Sequence, residues 1–177
     1  MNNNDKFDLN SFISPDVSFA PVYIWVWNDI CTKDIIDEQL VEMQNLGIRA
    51  FYILPEPKEF RPDSMPTTLS PDYLSEEFFE LCAYAIDKGT SLGMNCWIYD
   101  EGGWPSGGAC GKVVKDHPEY ASGGNYPDLL NRDATEYFIK ITHEKYASAT
   151  RNFIAVFTDE PKAPLNPCNE YLADKYE

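Results

Sequence analysis

Val22-Tyr-Ile-Trp-Val-Trp27, then Thr32-Lys-Asp-Ile-Ile-Asp-Glu-Gln-Leu-Val-Glu-Met-Gln-Asn-Leu-Gly47, then Ile48-Arg-Ala-Phe-Tyr-Ile-Leu54 read as strand, helix and strand in immediate succession. The first run is wholly β-branched or aromatic, which suits a pleated, buried surface. Thr32 is placed to cap a helix, with Asp34, Asp37 and Glu38 early in it, where carboxylates favour the dipole. Ile36, Leu40, Met43 and Leu46 recur at steps of four, three and three, which lines one helical face, and Gly47 stands where a C′ glycine belongs. The second strand begins at once and stops at Pro55. Near-continuous apolar strands joined through helices predict a parallel sheet with right-handed crossovers, covered on both faces.

The same unit repeats outward from there. Pro57, Pro62, Pro66 and Pro71 punctuate a long loop to about Leu74, a length that within a compact domain usually carries function. Ser75 can cap a second helix, with Glu76 and Glu77 in its first turn and Phe78, Cys82, Ala85, Gly89 and Leu92 as its buried stripe. Gly93 ends it and Asn95–Tyr99 reads as the third strand. A glycine-rich stretch from Gly102 to Gly111 and a polar connection lead to Asn131, which can cap a third helix to about Ala149 with Phe138, Ile141 and Tyr146 inward. Phe153–Phe157 is the last strand and runs into Thr158-Asp-Glu-Pro161. The fold class is therefore α/β, with about four parallel strands and three helices, as an open doubly wound sheet or as part of a (β/α)8 TIM-type barrel. A full barrel takes roughly 250 residues, so 177 residues and four strands predict a partial one. The expected divisions are an N-terminal extension at 1–20, the partial barrel at 21–161 and a C-terminal tail at 162–177.

Composition narrows the function classes. Hydrophobic residues make up 44%, as in globular chains, and 14 Lys+Arg against 29 Asp+Glu give a net charge of −15. That balance argues against nucleic acid and against anionic membrane surfaces, and no apolar run is long enough to span a bilayer. No secretory leader is visible, and the five scattered cysteines form no C-x-x-C pair, which points to reduced thiols and a cytoplasmic location. Two histidines exclude a His-rich metal site. His143 reads as a surface or packing residue, because His143-Glu144 lacks the second histidine of a zinc-protease helix.

All four strands end in polar or acidic residues: Asn28-Asp29, Glu56, Asp100-Glu101 and Asp159-Glu160. In a parallel α/β layout these ends meet on one rim, where such folds build active sites. Clustered carboxylates there suit a divalent cation or acid/base chemistry on a neutral substrate, and a carboxyl pair is the equipment of glycoside hydrolysis. Trp27 and Trp104 would flank that site, with Trp104, in a glycine-rich loop, the expected sugar contact. Gly107-Gly-Ala-Cys-Gly-Lys112 misses the phosphate-loop pattern at Ser106 and at Val113, so nucleotide binding is not expected.

Several segments together resemble the barrel domain of bacterial α-L-rhamnosidases of glycoside hydrolase family 106. They are Trp25-Val-Trp-Asn28, Tyr73-Leu-Ser-Glu-Glu77, Trp97-Ile-Tyr-Asp-Glu-Gly-Gly-Trp-Pro-Ser-Gly107, Thr142-His-Glu-Lys-Tyr146 and Phe157-Thr-Asp-Glu-Pro161. The resemblance runs from about Pro21 to Pro161 and covers the N-terminal part of such a domain. It implies a (β/α)8 barrel, hydrolysis of terminal deoxy-sugar linkages, and an assisting calcium ion as an option. It implies Glu160 as general acid with Glu101 as its acid/base partner, and Asp100 and Asp159 as substrate or calcium ligands. Asn28, Trp27 and Trp104 would shape the sugar pocket. Later strands of the family are not in this chain, so little activity alone is expected. The alternatives are a non-catalytic carbohydrate-binding or assembly half-barrel, or an inactive gene remnant. Unpaired strand edges predict a homodimer.

Overall fold

The computed structural model describes residues 7–162, so the 162–177 tail lies outside the described residues except for Lys162. In chain order the elements are α1 (Leu9–Ile13), β1 (Tyr23–Trp27), α2 (Lys33–Asn45), β2 (Ala50–Pro55), α3 (Glu76–Ser91), β3 (Asn95–Tyr99), α4 (Lys112–Asp116), β4 (Ala121–Gly123), β5 (Tyr126–Pro127), α5 (Arg132–Ile141), α6 (His143–Ala149) and β6 (Phe153–Phe157). The expected caps form: Thr32 accepts from Ile35 N–H, Ser75 from Phe78 N–H and Asn131 from Asp133 N–H. Each satisfies an amide that the first helical turn leaves without an intrahelical partner.

β1, β2, β3 and β6 form one parallel sheet in that order, so spatial order follows chain order. A doubly wound sheet reverses direction at a switch point, and no reversal occurs among these strands. The fold is thus α/β with a four-stranded parallel sheet.

Strand alternation gives the sheet two different faces. Trp25 and Trp27, Phe51 and Ile53, and Cys96 and Ile98 point to the helix side. They pack there with Ile36 and Leu40 of α2, Phe78, Cys82, Ala85 and Ile86 of α3, and Tyr146 of α6. Burying a side chain such as Leu40 contributes about 2 kcal/mol. α3 approaches β2 closely because position 89 is glycine: a Cβ there would lie 2.8 Å from Phe51 Cε1.

The opposite face is built by Ile24 and Val26, Tyr52 and Leu54, Trp97 and Tyr99, and Ala155 and Phe157. Tyr52, Tyr99 and Phe157 stack within 17° of parallel at 4.8–5.8 Å. Here the expectation of two covered faces fails. Among the described hydrophobic residues, strand side chains, Val22 and Trp104 pack on this cluster, which buries Tyr52, Leu54 and Tyr99, while no helix covers the face and Ile24 stays 55% exposed.

Two connections also differ from expectation. The third helix is broken at Thr142, whose hydroxyl donates to Phe138 carbonyl oxygen at 2.7 Å, and α6 restarts at His143. A threonine that bonds back one turn competes with the backbone ladder and bends or ends a helix. The polar stretch before Asn131 is not featureless: it holds α4 and the β4–β5 hairpin. No described helix is long and apolar enough to cross a membrane.

Candidate active site

The strand ends do meet on one rim, but parity sends their acids in different directions. Asp100 continues the Cys96–Ile98 row and Thr158 the Val156 position, so both turn to the helix side. Asn28 continues the Ile24–Val26 row, Glu56 the Tyr52–Leu54 row and Asp159 the Ala155–Phe157 row, on the open face. The ladder supports this beyond the strands, since Glu56 N–H donates to Trp27 carbonyl oxygen at 2.9 Å.

Asp100 is buried and its carboxylate is fully engaged. Oδ1 accepts from Ser106 Oγ at 2.6 Å and Oδ2 from Thr158 Oγ1 at 2.7 Å. His143 Nε2 lies 3.4 Å from Oδ2, while Nδ1 faces Thr142 Oγ1 at 2.9 Å. Ser106 then ties this group to the last strand end: its Oγ accepts from Asp159 N–H at 2.8 Å and its N–H donates to Asp159 carbonyl oxygen at 2.7 Å. Asp100 is therefore a clamp between two loops, and not the substrate or calcium ligand that the resemblance implies.

Glu101 departs further from its expected role. Its Oε1 accepts from Gly102 N–H at 2.8 Å and from Cys110 N–H. Its Oε2 accepts from Gly107, Gly108 and Ala109 N–H at 3.0, 2.8 and 2.8 Å. Successive amides turned inward make an anion-binding nest, and here the protein's own carboxyl group fills it. This explains why a loop that looks like a phosphate cradle needs no phosphate. Burial pushes the Glu101 carboxyl up to about 7, while the amide donors pull it down. At 1% exposure it does not face the open side, so it is not the acid/base partner of Glu160. The loop's tight path also requires glycine at 103: φ is +75° and a Cβ would lie 2.2 Å from Phe60 Cδ2.

Asp159 stands on the open face, with Oδ2 accepting from Tyr99 hydroxyl at 2.9 Å. Burial and the neighbouring carboxylate push the Tyr99 phenol well up, so it stays a donor. Glu160 is exposed, on left-handed backbone at φ +45°, a conformation that costs a non-glycine residue about 1–3 kcal/mol. Asn28 is exposed at the end of β1, and its carbonyl accepts from Thr68 N–H at 3.0 Å.

The tryptophans divide. Trp27 is a core residue and not a sugar contact: it is 3% exposed, on the helix side, edge-on to Trp25 and Phe78. Trp104 reaches the rim, where its ring packs on Phe60 at 4.7 Å and carries the Arg61 guanidinium 4.5 Å above it. A cavity of about 200 Å³ opens beside it, lined also by Glu59, Cys110, Asn125 and Tyr126. A second, apolar cavity of about 230 Å³ borders Asp100 and His143.

Sequence reasoning set Glu56 on the rim without giving it a role, and it missed His143, Ser106 and Thr158. His143, Ser106 and Thr158 lie inside the segments that carry the family resemblance, and that was the available signal. Counting alternate positions along the second strand would have put Glu56 on the open-face row.

No family model matches the chain, and no curated protein matches it. The donor set does not fit an assisting calcium ion either. Among the described residues no three His, Cys, Asp or Glu side chains gather where an ion could be held, and the oxygens of Asp100 already serve Ser106 and Thr158.

Proposed function

We propose that the chain is the four-strand part of a (β/α)8-type glycosidase domain, of the α-L-rhamnosidase kind of glycoside hydrolase family 106, acting on terminal sugar linkages. The observation that carries this is the parallel sheet in chain order, whose open face stacks Tyr52, Tyr99 and Phe157 beneath Asp159. With Tyr52 and Tyr99 buried at 7% and 1% exposure, these rings form an apolar floor under the rim, and a rim carboxylate supplies proton transfer. Glu160 is the general acid in this reading. Its left-handed backbone fits a side chain held in place for function. Glu56 replaces Glu101 as the second carboxyl: it too is buried, at 6% exposure, but it continues the open-face row of β2 and, among the described residues, its carboxylate accepts none of the amide bonds that tie up Glu101.

Asp100 and Glu101 also favour a second reading. With both occupied by loop contacts, the rim holds fewer uncommitted carboxylates than hydrolysis was expected to use, and a non-catalytic carbohydrate-binding half-barrel accommodates that. In either case the open edges of β1 and β6 take a second copy of the chain.

Release of the chromophore from an aryl α-rhamnoside separates the two. The enzyme reading expects turnover that Glu160→Gln lowers by about a hundredfold or more. Saturable binding of the same glycoside without turnover supports the binding reading. Absence of both overturns the carbohydrate assignment.

A further inference from the structure

Asp100 and Glu101 are neighbours and equally buried, at 1% exposure each, yet their oxygens are satisfied in opposite ways. Glu101 takes backbone amides from Gly102, Gly107, Gly108, Ala109 and Cys110, and no cation. Asp100 takes two hydroxyls, from Ser106 and Thr158, and among the described residues its side chain accepts from no amide. A carboxylate taken out of water without a counter-charge is strongly disfavoured. Among the described residues the one basic group within ion-pair distance of it is His143, with Nε2 3.4 Å from Oδ2.

The hydrogen bonds around the ring fix where its protons sit. Thr142 Oγ1 donates its one proton to Phe138 carbonyl oxygen, so at 2.9 Å it accepts from His143 Nδ1. Nδ1 therefore carries a hydrogen. A neutral ring would then turn the lone pair of Nε2 towards Oδ2, electron pair against anion. A second proton, on Nε2, makes the ring an imidazolium and turns that repulsion into attraction. Leu129, Phe138, Ile139 and Pro161 line the cavity of about 230 Å³ at the ring, and such apolar surroundings strengthen the pair. The charged groups of the neighbouring elements are engaged elsewhere. Lys140, Glu144 and Lys145 line a separate groove with Glu76 and Glu80 of α3, and Arg132 pairs with Glu136. Lys162 lies over the Tyr126 ring, and Asp159 accepts from Tyr99 on the open face.

We propose that His143 is a positioning residue for the Asp159–Glu160 segment, acting as the fixed positive charge that holds Asp100 in place. From Asp100 the hold passes along two routes. Oδ2 accepts from the hydroxyl of Thr158, the residue before Asp159. Oδ1 accepts from Ser106 Oγ, which itself accepts from Asp159 N–H at 2.8 Å. Ser106 N–H closes the link by donating to Asp159 carbonyl oxygen at 2.7 Å. Both routes end on the backbone just before Glu160, so the placement of that exposed side chain depends on a charge on the helix side of the sheet. The inference rests on the carbohydrate reading only for what Glu160 does; the hold on the segment needs no substrate.

The test is nitrogen NMR of the full chain at about pH 7, without any sugar, reading the His143 ring and the backbone amides. The wild-type ring shows a proton on both nitrogens, and Asp100→Asn returns it to one. His143→Gln shifts the Asp159 and Glu160 amide signals and leaves those of Tyr23–Trp27 in place. With Asp100→Asn already present, His143→Gln moves the Asp159 and Glu160 signals no further, because the charge acts through Asp100. A neutral ring in the wild type overturns the inference, and that reading needs no variant to fold. Asp159 and Glu160 signals that stay put in His143→Gln, or that move in the double variant by the sum of the two single shifts, overturn it too. Glycoside turnover and binding are measured apart from this, so their absence ends the carbohydrate reading and leaves the hold on the segment standing.

Discussion

Glu101 shows how one side chain can look catalytic and act as the nucleus of a loop. It follows an apolar strand and sits beside a second acid, the pattern expected of a catalytic pair. Adjacent residues leave a strand on opposite sides, however, so Asp100 goes to the helix side and Glu101 into the loop that follows. Presence of the acids was legible; which oxygen meets which amide depends on the path of residues 102–111, and no local pattern encodes it. Glu101→Gln turns an NH2 group towards amides that need an acceptor, and is expected to cost about 2 kcal/mol or more, read from urea unfolding. The wild type also carries a pH signature. With its carboxyl raised from 4.5 to about 7 by burial, the folded chain keeps a proton that the unfolded chain has released. Stability contributed by Glu101 is therefore fully present below about pH 4.5 and falls as the pH rises towards 7, by at most about 3 kcal/mol. The wild-type urea midpoint should drop between pH 5 and pH 7.5 more than that of Glu101→Gln. A smaller drop than the variant's means that the five amides outweigh burial.

At the scale of elements, the strands, the two long helices and their caps were readable because each rests on local chemistry and period. The stripes of α2 and α3 are core at Ile36, Leu40, Phe78, Cys82 and Ala85; Leu46, counted with the first stripe, is 74% exposed because α2 ends before it. The break at Thr142 was not readable, since a threonine inside a helical period breaks it only where its hydroxyl has somewhere else to bond. That break matters for the site: it opens α6 at His143 and sets the ring against Asp100. The two loops with the strongest family resemblance are joined through one hydroxyl, Ser106 Oγ, which donates to Asp100 and accepts from Asp159 N–H. Ser106→Ala leaves a buried carboxylate oxygen and an amide without partners. It should cost about 1–3 kcal/mol in unfolding free energy and loosen the Asp159–Glu160 segment, read as faster hydrogen exchange at Asp159 N–H. Unchanged exchange there, with stability lost elsewhere, means that Ser106 supports only its own loop.

For the whole molecule, strand order is the decisive fact. A sheet ordered β1-β2-β3-β6 exposes an unpaired backbone ladder on β1 and another on β6. Natural proteins blunt such edges with charge, proline or a cover, since bare ones recruit other strands. Here the edges carry Tyr23 at 51%, Ile24 at 55%, Ile154 at 57% and Val156 at 38% exposure, with no charged side chain within either strand. The open aromatic face runs between them. A second copy that pairs its β1 with this β6, and the reverse, would extend the parallel order to eight strands and cover that face from both sides. Burial of about 800 Å² per partner is typical of a stable dimer, and a face plus two edges supplies surface on that scale. Size-exclusion chromatography with light scattering should therefore give twice the monomer mass at tens of micromolar. Ile154→Lys puts a charge on one edge at a solvent-facing position, so it should change folding stability by no more than about 0.5 kcal/mol while shifting the mass to that of a monomer. A wild-type chain that stays a monodisperse monomer at that concentration removes the second copy as the cover for these edges.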